Sequence, residues 1–427
     1  MTTRSNMVKM MLMSIATAAT MTFTACSSED DELLKPATVP QTSQKAQKMG
    51  SKTVLIYMAG KNNLSDDLSS DLQEIMDGSK RLTDNDNLLV FVRRRNTYKE
   101  EPWLARVKNG EIIDRKSLSE LGITSMDGQN RASDPVVMEG VMQYAYQHYP
   151  AAAGNYGLVL WGHGSGWLIN EEVQRAESRG YGVDEGTVNQ SKDKRWINIP
   201  TLAKVLKGMP HLKFIMGDCC HLMCLENLYE LRNCCDYIIG SPAEIPAEGA
   251  PYDQIVPDMF AGGQFYSQII DKYYTSQRGD LPLTAVKTSE MDQMAQATRR
   301  ALQIIKEKLG ERYADLSGII HYGYDSNGDE FESGCKFFFD AGDFIRTYAP
   351  QDVYEQWRQA LDRTVVESRM SDRWRTERLW SKFFGDFLVT KEKFHGVSMF
   401  VPQDPSTGNY AKYNEDIKQL SWHNAVY

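Results

Sequence analysis

Short apolar runs punctuate the first half of the chain. Segments 53–59, 88–92 and 158–161 are almost continuously apolar, and 213–216 and 236–241 carry shorter apolar cores. A run that does not alternate suits a strand covered on both faces, as inside a parallel sheet. Between these runs the pattern changes to helical spacing. After the turn Gly60-Lys61-Asn62-Asn63, Leu64, Leu68, Leu72 and Ile75 recur on one helical face. Val137, Val141, Tyr144 and Ala145 do the same behind Ser133-Asp134-Pro135, an N-cap followed by proline at the first helical position. Short helices are predicted over 200–206 and 225–231. The stretch 97–130 reads as irregular or antiparallel, with alternation over 103–107 and a turn at Asn109-Gly110. The order β-α-β-excursion-α-β predicts a doubly wound α/β sheet. Further on, the pattern predicts a strand at 283–286, a helix at 291–309, helices at 344–348 and 353–366, and a late strand at 395–401. The expected fold class is α/β: a three-layer α/β/α sandwich around a mostly parallel sheet, with a smaller C-terminal α+β region.

Two strand ends carry the chemistry. Run 213–216 breaks at Gly217 and delivers Asp218, Cys219, Cys220 and His221, with the 225–231 helix behind. Run 158–161 ends in Gly162-His163-Gly164-Ser165-Gly166-Trp167. A thiol nucleophile needs a histidine to take its proton and amide donors for the oxyanion. Cys220, at a strand end and a helix start, sits where helix amides lower a thiol pKa. His163 lies between glycines that leave room for a substrate backbone. The Gly164 and Cys220 amides are the candidate oxyanion donors. His163 precedes Cys220 by 57 positions, comparable with the roughly 50 that separate the pair in caspases. The bland readings are a buried small cysteine and a structural histidine. Asp218 could line a pocket for a basic side chain or cap the following helix. Polar stretch 169–198 carries Arg175, Arg179, Lys192, Lys194 and Arg195, and structureless segments of that length are commonly functional.

Composition narrows the class. The chain has 427 residues, 41% hydrophobic and 25% charged, which suits folded domains rather than disorder. A net charge of −9 argues against nucleic acid as a partner. Arg4 and Lys9 precede the apolar stretch 10–25, which is short for a bilayer span and reads as a signal peptide. It ends at Ala25-Cys26-Ser27-Ser28, similar to a bacterial lipobox, and the acidic run 29–32 resembles the tag of surface-exported lipoproteins. Cys26 is then the lipidated first mature residue, anchoring the protein in the cell envelope, either exposed on the outer membrane or in the periplasm. The alternative is plain secretion. The expected organisation is signal peptide 1–25, flexible tether 26–50, catalytic domain 51–280, and a region 281–427 packed on it. Five of the seven cysteines crowd into 219–235, unlike an evenly spread disulfide scaffold. Their spacing, with His221, matches no ordinary zinc pair. Asp325-Ser326-Asn327-Gly328-Asp329 starts like a calcium loop but has Glu330 and Lys336 where an EF-hand needs Gly and Glu.

Tyr57-Met58-Ala59, Asn62-Asn63-Leu64, Leu160-Trp161-Gly162-His163-Gly164-Ser165-Gly166-Trp167, and Asp218-Cys219-Cys220 before Glu226-Asn227-Leu228-Tyr229-Glu230-Leu231 resemble the clostripain family of cysteine peptidases. The resemblance runs from about residue 53 to the C-terminus and includes Gly396-Val397-Ser398-Met399-Phe400-Val401-Pro402. It implies a caspase-like fold and cleavage of protein or peptide substrates after Arg or Lys through a His163–Cys220 dyad. The family pattern, counted back from Glu226, makes Cys220 the nucleophile and puts Cys219 at the usual alanine. It puts Asp218 at the acid that selects a basic P1 residue and Glu248 near a second pocket acid. It implies self-cleavage in loop 169–198, with Arg175 or Arg179 favoured. No cofactor is implied as required, and family analogy leaves calcium use open. The rival readings are an inactive binding protein on the same fold and a peptidase with an acidic P1 preference, which Asp218 would repel. His221 receives no role.

Overall fold

Lys52–Gly60 (β1) shows what the sheet demands. All nine of its residues are buried. Leu55, Tyr57 and Ala59 enter one apolar cluster, while Val54, Ile56 and Met58 enter a second on the opposite face. Side chains alternate along a strand, so only a strand between two covering layers buries both sets. The computed structural model describes residues 49–95, 100–125, 127–169, 180–185, 194–323, 336–374, 387–408 and 410–427. The remaining strands are Asp86–Arg94 (β2), Trp103–Lys108 (β3), Glu111–Ser117 (β4), Tyr156–Gly162 (β5), Tyr181–Asp184 (β6), Arg195–Ile197 (β7), Leu212–Asp218 (β8), Cys235–Gly240 (β9), Leu283–Lys287 (β10), Phe339–Asp340 (β11), Val365–Arg369 (β12) and Ser398–Met399 (β13). The helices are Asp67–Ser79 (α1), Pro135–His148 (α2), Ile199–Lys207 (α3), Leu225–Leu231 (α4), Tyr252–Phe260 (α5), Phe265–Ser276 (α6), Met291–Leu309 (α7), Ala341–Tyr348 (α8), Gln351–Thr364 (α9), Tyr410–Asp416 (α10) and Ser421–Val426 (α11).

Nine strands form one sheet in the order β12-β10-β9-β8-β5-β1-β2-β3-β4. β2, β1, β5, β8 and β9 run parallel, with antiparallel strands at both edges. Helices α2, α3, α4, α7, α8 and α9 bury apolar residues in the first cluster, and α1, α5 and α6 in the second. This is the expected three-layer α/β/α arrangement. The sheet continues across residue 280, because Thr284 of β10 pairs with Gly240 of β9. The predicted start of α2 is as read: the Asp134 side chain accepts from the Val136 amide, with Pro135 at N1.

Four expectations change. The strand expected to break at Gly217 runs through Asp218; there a glycine lets Leu222 fold back, since a Cβ would meet Leu222 Cδ2 at 2.4 Å. The helix expected over 353–366 stops at Thr364, where Val365 turns to extended backbone and joins the sheet edge. Stretch 169–198 is not wholly structureless, since β6 and β7 pair within it. The late strand 395–401 shrinks to Ser398 and Met399, and the segment is held as well by the loop after β8 and by α4. The Ser398 amide donates to Met223 O at 3.0 Å, and the Phe400 amide donates to Glu226 Oε1 at 2.8 Å. Among the described residues no helix is long and apolar enough to cross a membrane.

Glu226, in the first turn of α4, is fully buried and holds the C-terminal segment through the Phe400 amide. Burial pushes its carboxyl up to about 7. The folded state therefore favours the protonated acid, a contribution present at acidic pH and lost as pH rises through about 7. Glu226→Gln keeps an acceptor and removes the charge, so it should raise the Tm at pH 8 and change it little at pH 5. Glu226→Ala strands a buried amide, a penalty of about 1–3 kcal/mol, and should lower the Tm at both. Thermal unfolding at the two pH values checks this; a Glu226→Gln variant destabilised equally at both would refute it.

Candidate active site

The site is assembled by one strand pairing. β5 and β8 are parallel neighbours, with Trp161 opposite Asp218. His163 lies two residues beyond Trp161, and Cys220 lies two beyond Asp218. Parallel strands deliver both to the same, carboxyl-terminal edge of the sheet, where open α/β folds bind ligands. The backbones touch there. A Cβ on Gly164 would lie 2.5 Å from Cys220 O and 3.2 Å from Cys220 N, so only glycine fits. Gly162 takes φ +132 and faces Ala59 O, where any side chain would clash.

His163 is half-buried and tilted toward Trp196, with ring centroids 6.3 Å apart. Its Nε2 lies 2.7 Å from Asn63 Oδ1, in the turn after β1. An amide oxygen only accepts, so Nε2 carries the proton and Nδ1 keeps its lone pair. Burial, with the Lys194 ammonium second, pushes the imidazole down to about 4. The ring is therefore neutral at physiological pH and able to accept a proton.

The adjacent thiols differ. Cys219 is buried in the first apolar cluster, and burial, reinforced by Asp218, pushes its thiol well above the usual range. Cys220 is half-buried, and its Sγ accepts from the Ile245 amide at 3.3 Å. That donor corrects the expectation that helix amides serve Cys220: α4 starts at Leu225, a turn too late. His221 acquires a role. It takes φ +56, stacks on Phe338 at 4.2 Å and 7°, and donates from Nδ1 to Pro242 O at 3.0 Å. Burial holds it neutral, down to about 4. With the His221 amide bonded to Ala243 O and the Met223 amide to Ser241 O, it ties the cysteine loop to the loop after β9.

Asp218 is buried beneath this edge. Tyr273 OH donates to Oδ1 at 2.7 Å; Tyr252 OH and the Ala250 amide donate to Oδ2 at 2.8 and 3.2 Å. Burial still raises its carboxyl, because all three donors are neutral. Glu248 is exposed, and its charge acts on Asp67. Asn63 stood in the sequence only as part of the Asn62-Asn63-Leu64 motif, with no role toward His163, and the Ile245 amide, a backbone group, carried no sequence signal. Cys26, Arg175, Arg179 and the 325–329 segment lie outside the described residues. Among the described residues no cluster of three or more His, Cys, Asp or Glu could hold a metal, and Cys219, Cys220, Cys224, Cys234 and Cys235 are free thiols.

The model of the clostripain family matches residues 56–427. Clostripain of Hathewaya histolytica is 22% identical over 254 residues, covering 55% of this chain and 47% of that protein. The chain thus spans about half the length of that curated relative. Among solved structures, a secreted C11 cysteine protease from Bacteroides thetaiotaomicron, in complex with an irreversible peptide inhibitor, superposes with TM-score 0.69 at 27% identity. The match covers 88% of this chain and 99% of that one. An inactive zymogen C11 protease from Parabacteroides distasonis gives 0.68 at 26% identity, covering 89% and 99%. The family match over most of the chain, on a caspase-like sandwich with a histidine and a thiol at adjoining strand ends, means that the chain belongs to the clostripain family of cysteine peptidases.

Proposed function

We propose that this protein is a cysteine endopeptidase that cleaves after Arg or Lys. The observation that supports the reading is the close approach of Gly164 to the Cys220 backbone, which brings together the strand ends that carry a neutral histidine and a half-buried thiol. His163 Nδ1 takes the Cys220 proton, and the Ile245 amide supports the developing thiolate. The sulfur attacks the scissile carbonyl, and the Gly164 and Cys220 amides hold the oxyanion. His163 returns the proton to the leaving amine. It then draws a proton from water, which hydrolyses the acyl-enzyme and frees the thiol. Asp218, buried without a cation, receives the P1 charge. No step calls for a cofactor, and assays with calcium and with a chelator test the family's calcium use. Self-cleavage at Arg175 or Arg179 activates the chain, and lipid on Cys26 anchors it to the cell envelope.

Fluorogenic Arg, Lys and Asp substrates test the reading. Cys220→Ala should lose roughly 10³-fold or more in kcat, whereas Cys219→Ala should stay within a few-fold. Asp218→Asn should lower kcat/KM for Arg and Lys roughly 10²-fold. An active Cys220→Ala protein, or faster cleavage after Asp, would sink the proposal.

The pH profile tests His163. Its neutral form is the active one, so kcat/KM falls as pH drops through a pKa below the ordinary histidine value of 6.5. Lys194→Met removes the repelling charge and should move this acid limb upward. Asn63→Ala should lower kcat roughly 10-fold with KM little changed, as a loosened base would. An unmoved limb in Lys194→Met would separate Lys194 from the base. Activation is checked by mass spectrometry: a cut within 169–198 should be present in the wild type and absent in Cys220→Ala. A fully active, uncut chain would exclude activation by cleavage.

A further inference from the structure

Asp71 on α1 is 2% exposed and sits beside Asp218. The place a Gly249 Cβ would occupy lies 3.0 Å from Asp218 Oδ2 and 3.2 Å from Asp71 Oδ2. Gly249 holds φ +60, so both conformation and space require glycine, and the two carboxylates flank the gap it leaves. Asp71 Oδ2 accepts from Trp161 Nε1 at 2.5 Å, while its Oδ1 has no hydrogen-bond partner among the described residues. Trp161 is the residue paired with Asp218 across β5 and β8. Neither acid forms an ion pair among the described residues; every donor they have is a phenol, an indole or a backbone amide. Glu248, the second acid expected from the sequence, is instead exposed.

We propose that Asp71 is the second carboxylate of the P1 pocket, so that a guanidinium or ammonium enters between it and Asp218. Resting on the basic-P1 reading, this names the residue that doubles the pocket's charge. It also explains an otherwise unfavourable arrangement. Two buried carboxylates side by side repel, so one holds a proton until a cation arrives. Burial first, then Asp218, pushes Asp71 up to about 8. The groups that face it are Asp218 from β8, Tyr252 from α5, Tyr273 from α6, and Glu74 and Asp67 on its own helix, none of them cationic. The substrate cation takes the proton's place, and one proton leaves to solvent as it binds. Affinity for Arg and Lys substrates therefore rises with pH up to about 8, on a limb separate from that of His163.

The test compares wild type, Asp71→Asn and Asp218→Asn on matched substrates with Arg, Lys or citrulline at P1, from pH 6 to 9. Asn is isosteric and keeps the Trp161 acceptor. Asp71→Asn should raise KM for Arg and Lys roughly 10–100-fold, with a several-fold smaller effect on the citrulline substrate, and flatten the rise of 1/KM with pH. Benzamidine inhibition should weaken in parallel. Loss on all three substrates alike would mark Asp71 as structural, and less than a twofold change on Arg and Lys would remove it from the pocket. Either result, with Asp218→Asn still impaired on Arg and Lys, overturns the clamp and leaves the basic-P1 reading standing. A wild type that prefers citrulline to Arg and Lys overturns both.

Discussion

The parallel pairing of β5 with β8 is the contact on which the site depends. It fixes Trp161 against Asp218 and so decides what leaves the sheet two residues later on each strand. The approach of Gly164 to Cys220 is a consequence of that register. A side chain at 164 would have to displace backbone on the neighbouring loop rather than a flexible tip. Precision at the edge therefore derives from a ladder buried between two helix layers, a better foundation than a mobile loop.

The pleat then sorts the chemistry onto two sides. In β8, Phe214 and Met216 face the second cluster and Ile215 faces the first. Continuing that alternation, Asp218 meets the tyrosines of α5 and α6, and Cys219 enters the opposite apolar cluster. In β5 the same rule sends Trp161 toward α1, where its indole finds Asp71. A slip of one residue would bury the acid among leucines and set the wrong thiol beside the pocket. Cys219 and Cys220 are chemically identical in isolation. The first is made inert by an apolar surrounding, and the second meets solvent and a backbone donor.

Much of this was legible because it is periodic or local. Continuous apolar runs marked the central strands, and glycines around His163 and the acid before two thiols marked the edge. Other parts depend on contacts between distant segments. Asp71 reads in sequence as one more polar position between Leu68 and Leu72; its burial follows from the packing of α1 against α5, at Gly78 and Val256. The Ile245 amide has no side-chain signature at all. The helix expected over 225–231 stands there as α4, but its amides do not reach Cys220, because apolar spacing marks the helix and says nothing about the bends that precede it. The late strand was overestimated because 395–401 is apolar for a different reason. It packs on the cysteine loop and is held there by Met223 O and Glu226.

Glu226 and the Asp71–Asp218 pair apply one physical rule to different ends. In both places a carboxyl is buried without a cation and its charged form is penalised. Glu226, in the first turn of α4, is fully enclosed with a backbone amide as partner, so protonation is its only relief. The pair beneath Cys220 flanks the gap at Gly249, and a cation of the right reach can supply what the protein withholds. A buried acid that only the protein can satisfy is a structural pin whose strength follows pH. A buried acid that the protein leaves short of positive charge favours the ligand that completes it, because binding removes a repulsion already present in the free enzyme.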